Sequence, residues 1–287
     1  MALIETISPQ TCKRCGVGYQ QKKYLLLEAA IALDDGLCPP CLALAREEDA
    51  IADLREQERE RAAVRQLWRQ ECGIGPKFST ARFDTYEIAW AGKAANNFSE
   101  SRSRCIAYAQ GFPIDYRQHL QAGGEAYRSM ILCSPGTQGV GKTHLVNAVC
   151  HAIIDRWNGE VGTCPVKILS EAQLYHRIEE TYSDNTPGAL KEADIIKQLS
   201  WVPLLVIDDV GTETRTKKDF SNRILFAIVN GRYENNRPVV MTTNLSTEEL
   251  SRYLSDNDGR VRIMDRLLEM ANGSIFVIRG PSHRGHR

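Results

Sequence analysis

The chain has 287 residues, nine cysteines and 43% hydrophobic side chains, and its 36 basic residues are matched by 36 acidic ones. This is the composition of an ordinary globular protein with room for one large domain and a smaller one, and zero net charge leaves only local surfaces for nucleic acid. No apolar run reaches the roughly 18 residues of a membrane span, and Met1–Ile7 shows no basic segment followed by an apolar one. The expectation is a cytoplasmic protein without membrane contact, whose cysteines serve as thiols or metal ligands rather than disulfides.

The first pattern in chain order is Cys12-Lys-Arg-Cys15, answered after residues 16–37 by Cys38-Pro-Pro-Cys41. Two C-x-x-C knuckles bring four thiolates to a tetrahedral Zn²⁺, each placing two sulfurs on one tight turn. A module of about 40 residues buries little core, so a metal would supply its stability. Tyr24-Leu-Leu-Leu and Ile31-Ala-Leu are candidates for its apolar packing. The competing reading, four unpaired cysteines in a tail, leaves the doubled spacing unaccounted for. No βαβ pattern surrounds either pair, which argues against a redox motif. Few aromatics and mixed charges offer no stacking platform for bases, so protein docking is the favoured role. Cys72, Cys105, Cys133, Cys150 and Cys164 are scattered, and Cys133 and Cys150 lie in apolar runs as core filler.

From Leu42 to Glu71 the chain is rich in Ala, Glu, Arg, Gln and Leu and lacks Gly and Pro, which predicts one long helix ending at Cys72-Gly73. Ile51, Leu54, Leu67 and Trp68 make only a partial apolar stripe. The plain reading is a solvated spacer; the functional one is a lever between domains. Gly73-Ile-Gly-Pro76 marks a boundary. The expected division is a zinc-binding module over 1–44, a helical linker over 45–72 and a large domain over 73–287. Ala94 to Tyr108 predicts a helix, and Gly111 to Gly124 a loop around a short helix. Residues 77–128 otherwise reveal no chemistry.

Gly136-Thr137-Gln138-Gly139-Val140-Gly141-Lys142-Thr143 fits G-x-x-x-x-G-K-[ST], the phosphate-binding loop. Its glycines let backbone N–H groups turn inward onto a triphosphate. Lys142 can reach the β- and γ-phosphates, and the Thr143 hydroxyl can hold Mg²⁺. The flanks agree, with an apolar strand over Ser129–Ser134 before it and helical periodicity over Thr143–Trp157 after it. A second strand is expected at Pro165–Leu169, then helices at Glu171–Tyr182 and Glu192–Ser200 around a 183–188 loop. Val202-Pro-Leu-Leu-Val-Ile-Asp208-Asp209 is an apolar strand ending in two acids. Asp208 would hold Mg²⁺, and Asp209 would orient or deprotonate the attacking water. Asp209 is one methylene shorter than Glu, so slow hydrolysis is expected. A long helix over Asp219–Glu234 precedes the buried strand Pro238–Asn244, which ends in polar residues. Asn244 either bonds the γ-phosphate or attacking water, or merely caps the next helix. Arginines at 260, 262 and 266 and a final strand at Ser274–Ile278 complete the pattern.

From about residue 73 onward, these motifs resemble the DnaC/IstB branch of the AAA+ ATPases. The likeness rests on Gly136–Thr143 (Walker A), Leu204–Gly211 (Walker B), Gly231–Asn244 (sensor I), Arg262–Leu267 (arginine-finger segment) and Gly280-Pro-Ser-His-Arg284, with His283 at the family's aromatic position. It implies a P-loop AAA+ (ASCE) α/β fold: a parallel five-stranded sheet flanked by helices, without a full helical lid. It implies ATP with Mg²⁺ as cofactors, weak ATPase activity stimulated by DNA or a partner, and self-association through the ATP sites. Arg266 would then be the finger acting in trans and Arg284 the sensor II arginine. Some helicase loaders of the branch resemble this design, with a metal-binding N-terminal domain. The resemblance therefore implies a loader, phage- or mobile-element-borne, that docks on a DnaB-like hexameric replicative helicase and places it on single-stranded DNA. Thr212–Lys218, with Arg215, Lys217 and Lys218, would face that DNA. The alternatives are a transposition helper that binds duplex DNA and recruits a transposase, and a zinc adaptor that binds ATP but barely hydrolyses it.

Overall fold

The computed structural model describes residues 4–26, 29–32, 35–158, 163–183, 186, 188–212 and 218–283. They form two compact units, Met1–Ala63 and Val64–Arg287. No described helix is long and apolar enough to cross a membrane.

In the first unit, β1 (Ile4–Thr11), β2 (Gly18–Leu26) and β3 (Ala29–Ala32) form an antiparallel sheet in that order. No motif or periodicity in the sequence predicts this sheet. Its strands carry Gln and Lys without clean alternation, and the turn at Cys12–Gly16 fixes their pairing instead. There Cys12 N–H donates to Val17 O and Gly16 N–H to Cys12 O, both at 2.9 Å, with Gly16 at φ +72°. The side chains expected to pack at Tyr24–Leu27 and Ile31–Leu33 lie outside the described residues. Helix α1 (Pro39–Glu71) starts earlier than Leu42, because Pro39 and Pro40 suit the first helical turn, where N–H groups have no partner. Cys41 is thereby placed inside that turn. Ile51 and Leu54 are exposed, as befits a solvated face.

The second unit begins with the last turns of α1. Val64, Trp68 and Cys72 pack into its core, and Cys72 O accepts the Ile168 N–H at 2.8 Å. The helix stops at Gly73 for a steric reason. Its φ is +102°, and a Cβ there would lie 2.0 Å from Ile168 O. Helices α2 (Ala95–Gly111) and α3 (Tyr116–Gln121) then lead to a five-stranded sheet. Its members are β4 (Met130–Cys133), β5 (Val166–Ser170), β6 (Leu204–Val210), β7 (Val239–Thr243) and β8 (Ile275–Val277), in the order β5-β6-β7-β4-β8. All pairs are parallel. Helix α4 (Lys142–Arg156) follows β4, while α5 (Glu171–Ser183) and α6 (Glu192–Trp201) follow β5. Helix α7 (Lys218–Glu234) follows β6, and α8 (Thr247–Leu254) and α9 (Arg262–Ala271) follow β7.

Helices cover both faces, so the central strands read as continuous apolar runs. Alternation still sorts their side chains. Met130, Leu132, Val206 and Val240 join the core on one face with Leu145, Val149 and Tyr108. Ile131, Leu205, Ile207 and Met241 join the other with Ile178, Ile195 and Ile228. Fully buried Arg232 ties this sheet together at the ends opposite the phosphate loop. It donates to Pro203 O at 3.2 Å, to Pro238 O at 2.6 Å and also to Leu199 O. Replacing it would remove the guanidinium donors of three carbonyls and leave Pro238 O only the long 3.5 Å bond from Leu205 N–H. Arg232→Ala should therefore cost about 3 kcal/mol or more of stability by urea unfolding.

Candidate functional site

The phosphate loop leaves the carboxyl end of β4 and turns into α4. Gly136, Gly139 and Gly141 have φ of +70°, +78° and +87°, conformations that glycine adopts without steric cost. At Gly141 a Cβ would also press to 2.5 Å from the Tyr86 ring. Thr137 N–H donates to Ser134 O at 3.2 Å, and Ser134 Oγ donates to Thr137 O at 2.7 Å, closing the loop on its own strand. Val140 is buried and its carbonyl accepts the Tyr86 hydroxyl at 2.8 Å. The amino end of α4 therefore opens onto a cavity of about 850 Å³. Gln138, Gly139, Val140, Gly141, Lys142 and Thr143 line that cavity together with Asp209 and Asn244.

Both acids of β6 reach this place because the strand bulges. Ile207 pairs with Met241 but Val210 pairs with Thr243, so β6 spends one extra residue there. Asp209 takes that excess at φ +59°. Its N–H donates to Thr242 Oγ1 at 2.9 Å instead of to a ladder carbonyl. Asp208 Oδ1 accepts the Thr143 hydroxyl at 3.3 Å and the Thr242 hydroxyl beside it. Two cis ligands at the ordinary magnesium distance would be about 3 Å apart, so the Thr143 and Asp208 oxygens fit one Mg²⁺. Burial pushes the Asp208 carboxyl above the usual carboxylate range.

Asn244 is not a helix cap. Ser246 caps α8, accepting Glu249 N–H at 3.2 Å in a capping box. Asn244 instead sits between the other groups of the site. Its Oδ1 accepts from Lys142 Nζ at 2.6 Å and from Ser134 Oγ at 3.3 Å, and its Nδ2 donates to Asp209 Oδ1 at 3.1 Å. Only this orientation of the amide satisfies a cation on one side and a carboxylate on the other.

Residues 77–90, silent in the sequence, form the remaining wall of the cavity. Lys77, Phe78, Thr85, Tyr86, Glu87 and Trp90 line it. His144, next to the phosphate-loop threonine, ties this wall to α4 through Arg82 O at 2.8 Å. His283 closes the wall. Its N–H donates to Gly139 O at 3.0 Å, and its ring stands edge-on to Trp90 with centroids 4.9 Å apart. The imidazole thus takes an aromatic's packing role at that position. Nothing in the residue types of 77–90 marks them in advance, because they act through shape. Arg266 is not among the cavity-lining residues. Its guanidinium lies over Phe226 and Tyr233, 5.1 and 5.4 Å from the ring centroids. Arg284, Arg215 and Lys217 fall outside the described residues.

In the first unit, the Cys12, Cys15, Cys38 and Cys41 sulfurs all lie within 4.8 Å of one another, with Cys15 and Cys38 at 3.6 Å. A tetrahedral Zn²⁺ with bonds of about 2.3 Å needs sulfurs about 3.8 Å apart, so the four fit that ion. Left to themselves the thiols do not ionise together. Backbone N–H groups of Cys15 and Cys38 pull Cys12 down to about 6, while Cys41, hydrogen-bonded to Cys38 and desolvated, is pushed up to about 12. A cation is what would allow four thiolates.

The raised Asp208 carboxyl yields a prediction with a defined sign. The folded state favours the protonated acid, so its penalty sets in as pH rises through the carboxylate range and persists at neutral pH. Asp208→Asn should therefore melt at a higher temperature than wild type at pH 7. The difference should vanish below about pH 4, where the carboxyl is protonated in both states. Magnesium-dependent nucleotide affinity should fall in the same variant.

Comparison with known proteins places this site in a family. Residues 125–287 match the model for IstB-like ATP binding protein. The replicative helicase loader DnaC of Escherichia coli (strain K12) is 27% identical over 237 residues, which covers 83% of this chain and 82% of DnaC. The uncharacterized protein YdaV of the same organism is 30% identical over 205 residues, or 71% of this chain and 68% of YdaV. The crystal structure of the DnaC helicase loader has the same fold, with a TM-score of 0.52 at 20% identity over 71% of this chain and all of that one. With a glycine loop, paired acids and Asn244 assembled on a sheet of that fold, and more than half of its length on the family model, the chain belongs to the IstB/DnaC family of AAA+ ATPases.

Proposed function

We propose that the chain is an ATP-switched loader that docks on a replicative ring helicase and helps place it on single-stranded DNA in the cytoplasm. The observation that carries this reading is the likeness to the helicase loader DnaC, which extends over 82% of that protein. The second reading, a transposition helper that recruits a transposase to duplex DNA, draws on the IstB-like match over residues 125–287.

The site chemistry follows from the contacts of Lys142 and Asn244. Lys142 spends its charge on Asn244 and Ser134. A γ-phosphate offers that ammonium stronger, charged acceptors, so nucleotide binding draws Lys142 away and frees Asn244 Oδ1. Asn244 then holds Asp209 through Nδ2 and can accept from the attacking water through Oδ1. Asp209 takes the water's proton. Thr143 and Asp208 would hold Mg²⁺, which neutralises phosphate charge when bound. Arg266 is not among the residues that line its own chain's cavity, which supports a contribution to the transition state in a neighbouring subunit's site. This makes self-association part of the switch. The four cysteines would hold Zn²⁺ and shape the module that docks on the partner.

Three experiments test these roles. Lys142→Ala and Arg266→Ala should each abolish hydrolysis alone, and a mixture of the two should recover some activity by forming intact composite sites. No recovery would exclude action in trans. Zinc measured by atomic emission should be near one per chain and fall on Cys38→Ser. The full-length chain should capture the host's replicative helicase, and Cys38→Ser should not. Failure of both to capture helicase, with ATP-dependent binding to duplex DNA, would support the transposition helper instead.

A further inference from the structure

Glu171, the first residue of α5, is the one fully buried carboxylate among the described residues. Its Oε2 accepts the Gly211 N–H at 2.8 Å and the Tyr253 hydroxyl at 2.9 Å. Its Oε1 accepts the Tyr175 hydroxyl at 2.9 Å. Burying a charge costs free energy that an apolar residue would not, so the groups it faces must explain it. The most informative is Gly211, which ends the turn carrying Asp209.

In that turn the β6 ladder is interrupted between Ile207 and Val210, and side chains take up backbone groups one by one. Thr242 accepts Asp209 N–H at 2.9 Å, Thr212 donates to Asp209 O at 2.9 Å, Thr243 donates to Val210 O at 2.7 Å, and Glu171 accepts Gly211 N–H. Thr242 and Thr243 belong to the adjacent strand β7. Glu171 comes from the far side, at the end of β5, and through Tyr253 it also holds α8, the helix that follows Asn244. One carboxylate thus braces the exits of β5, β6 and β7. Two residues before that Gly211 N–H stands Asp209, a non-glycine residue held in the left-handed region at φ +59°.

We infer that Glu171 is a positioning residue that aims the Asp209 carboxylate into the cavity by fixing the Gly211 N–H. The inference rests on the reading of Asp209 as the group that activates water. It separates from a purely structural role because its effect must pass through Asp209.

The test is single-turnover ATP hydrolysis and ADP affinity in the full-length chain, with DNA present, for Glu171→Met and Glu171→Gln. Each variant is measured alone and in an Asp209→Ala background. Gln keeps an acceptor for Gly211 and Tyr253, and its amide can donate to the Tyr175 oxygen. Glu171→Met should lose about tenfold or more in rate with ADP affinity held within about twofold. Glu171→Gln should stay within about threefold of wild type, and neither change should cost anything further once Asp209 is Ala. A wild-type rate in Glu171→Met would overturn the inference. So would equal impairment of the Gln variant, or the same fractional loss in the Asp209→Ala background. Should Glu171→Met not fold, Tyr253→Phe removes the second donor to the Oε2 that holds the Gly211 N–H, and so loosens that hold. It should slow hydrolysis severalfold only when Asp209 is present, and an unchanged rate overturns the inference. If wild type and Asp209→Ala hydrolyse at the same rate, the ATPase reading itself fails and this inference falls with it.

Discussion

Everything in the candidate site depends on three parallel strands ending side by side. β4 supplies the phosphate loop, β7 supplies Asn244, and β6 supplies Asp208 and Asp209. In the sheet order these strands are neighbours, β6-β7-β4. Adjacent strands are about 4.8 Å apart, so groups more than a hundred residues apart in sequence come within hydrogen-bond reach. Ser134, Lys142, Asn244 and Asp209 form one continuous chain of hydrogen bonds across those ends. Any other strand order would leave each motif present and the site absent.

The same end of the sheet is where the structure tolerates strain and buried charge. Asp209 is left-handed, Asp208 is raised by desolvation, and Lys142 is buried. At the opposite end, Arg232 satisfies three carbonyls and aromatic side chains pack around Tyr108 and Tyr116. A rigid base lets a strained rim persist, and a strained rim is what a ligand carrying negative charge and a divalent cation can relax. Stability and function are thus divided along the strand direction, as in open α/β sheets generally.

The N-terminal unit follows a different logic. Its core among the described residues is Cys12, Cys38 and Cys41 with Tyr19 and Leu37 against them, a small apolar cluster. The bidentate Arg14–Glu48 pair, at 2.8 and 2.6 Å, adds a tie between the first knuckle and α1. That pair is exposed and contributes little stability. The four sulfurs of this unit stand close enough together to fit one tetrahedral Zn²⁺.

By itself the sequence determined the chemistry that depends on local spacing. Three glycines, a lysine and a threonine can cradle phosphate only in that order, and two C-x-x-C pairs announce four convergent sulfurs. An apolar strand ending in Asp208-Asp209 and the Gly73 stop signal were legible for the same reason, since each is written within a few consecutive residues. The tertiary structure alone decided the rest. It showed that Asn244 bridges Lys142 and Asp209 rather than capping a helix, because Ser246 occupies the cap. It turned residues 77–90 into a wall of the cavity, and it set His283 edge-on to Trp90 and bonded to the phosphate loop. It also gave buried Glu171 its meaning, since an acid at the head of a helix looks like any other until Gly211, Tyr175 and Tyr253 converge on it. These are long-range contacts made through shape and hydrogen-bond satisfaction, and such contacts leave no periodicity or spacing in a linear chain.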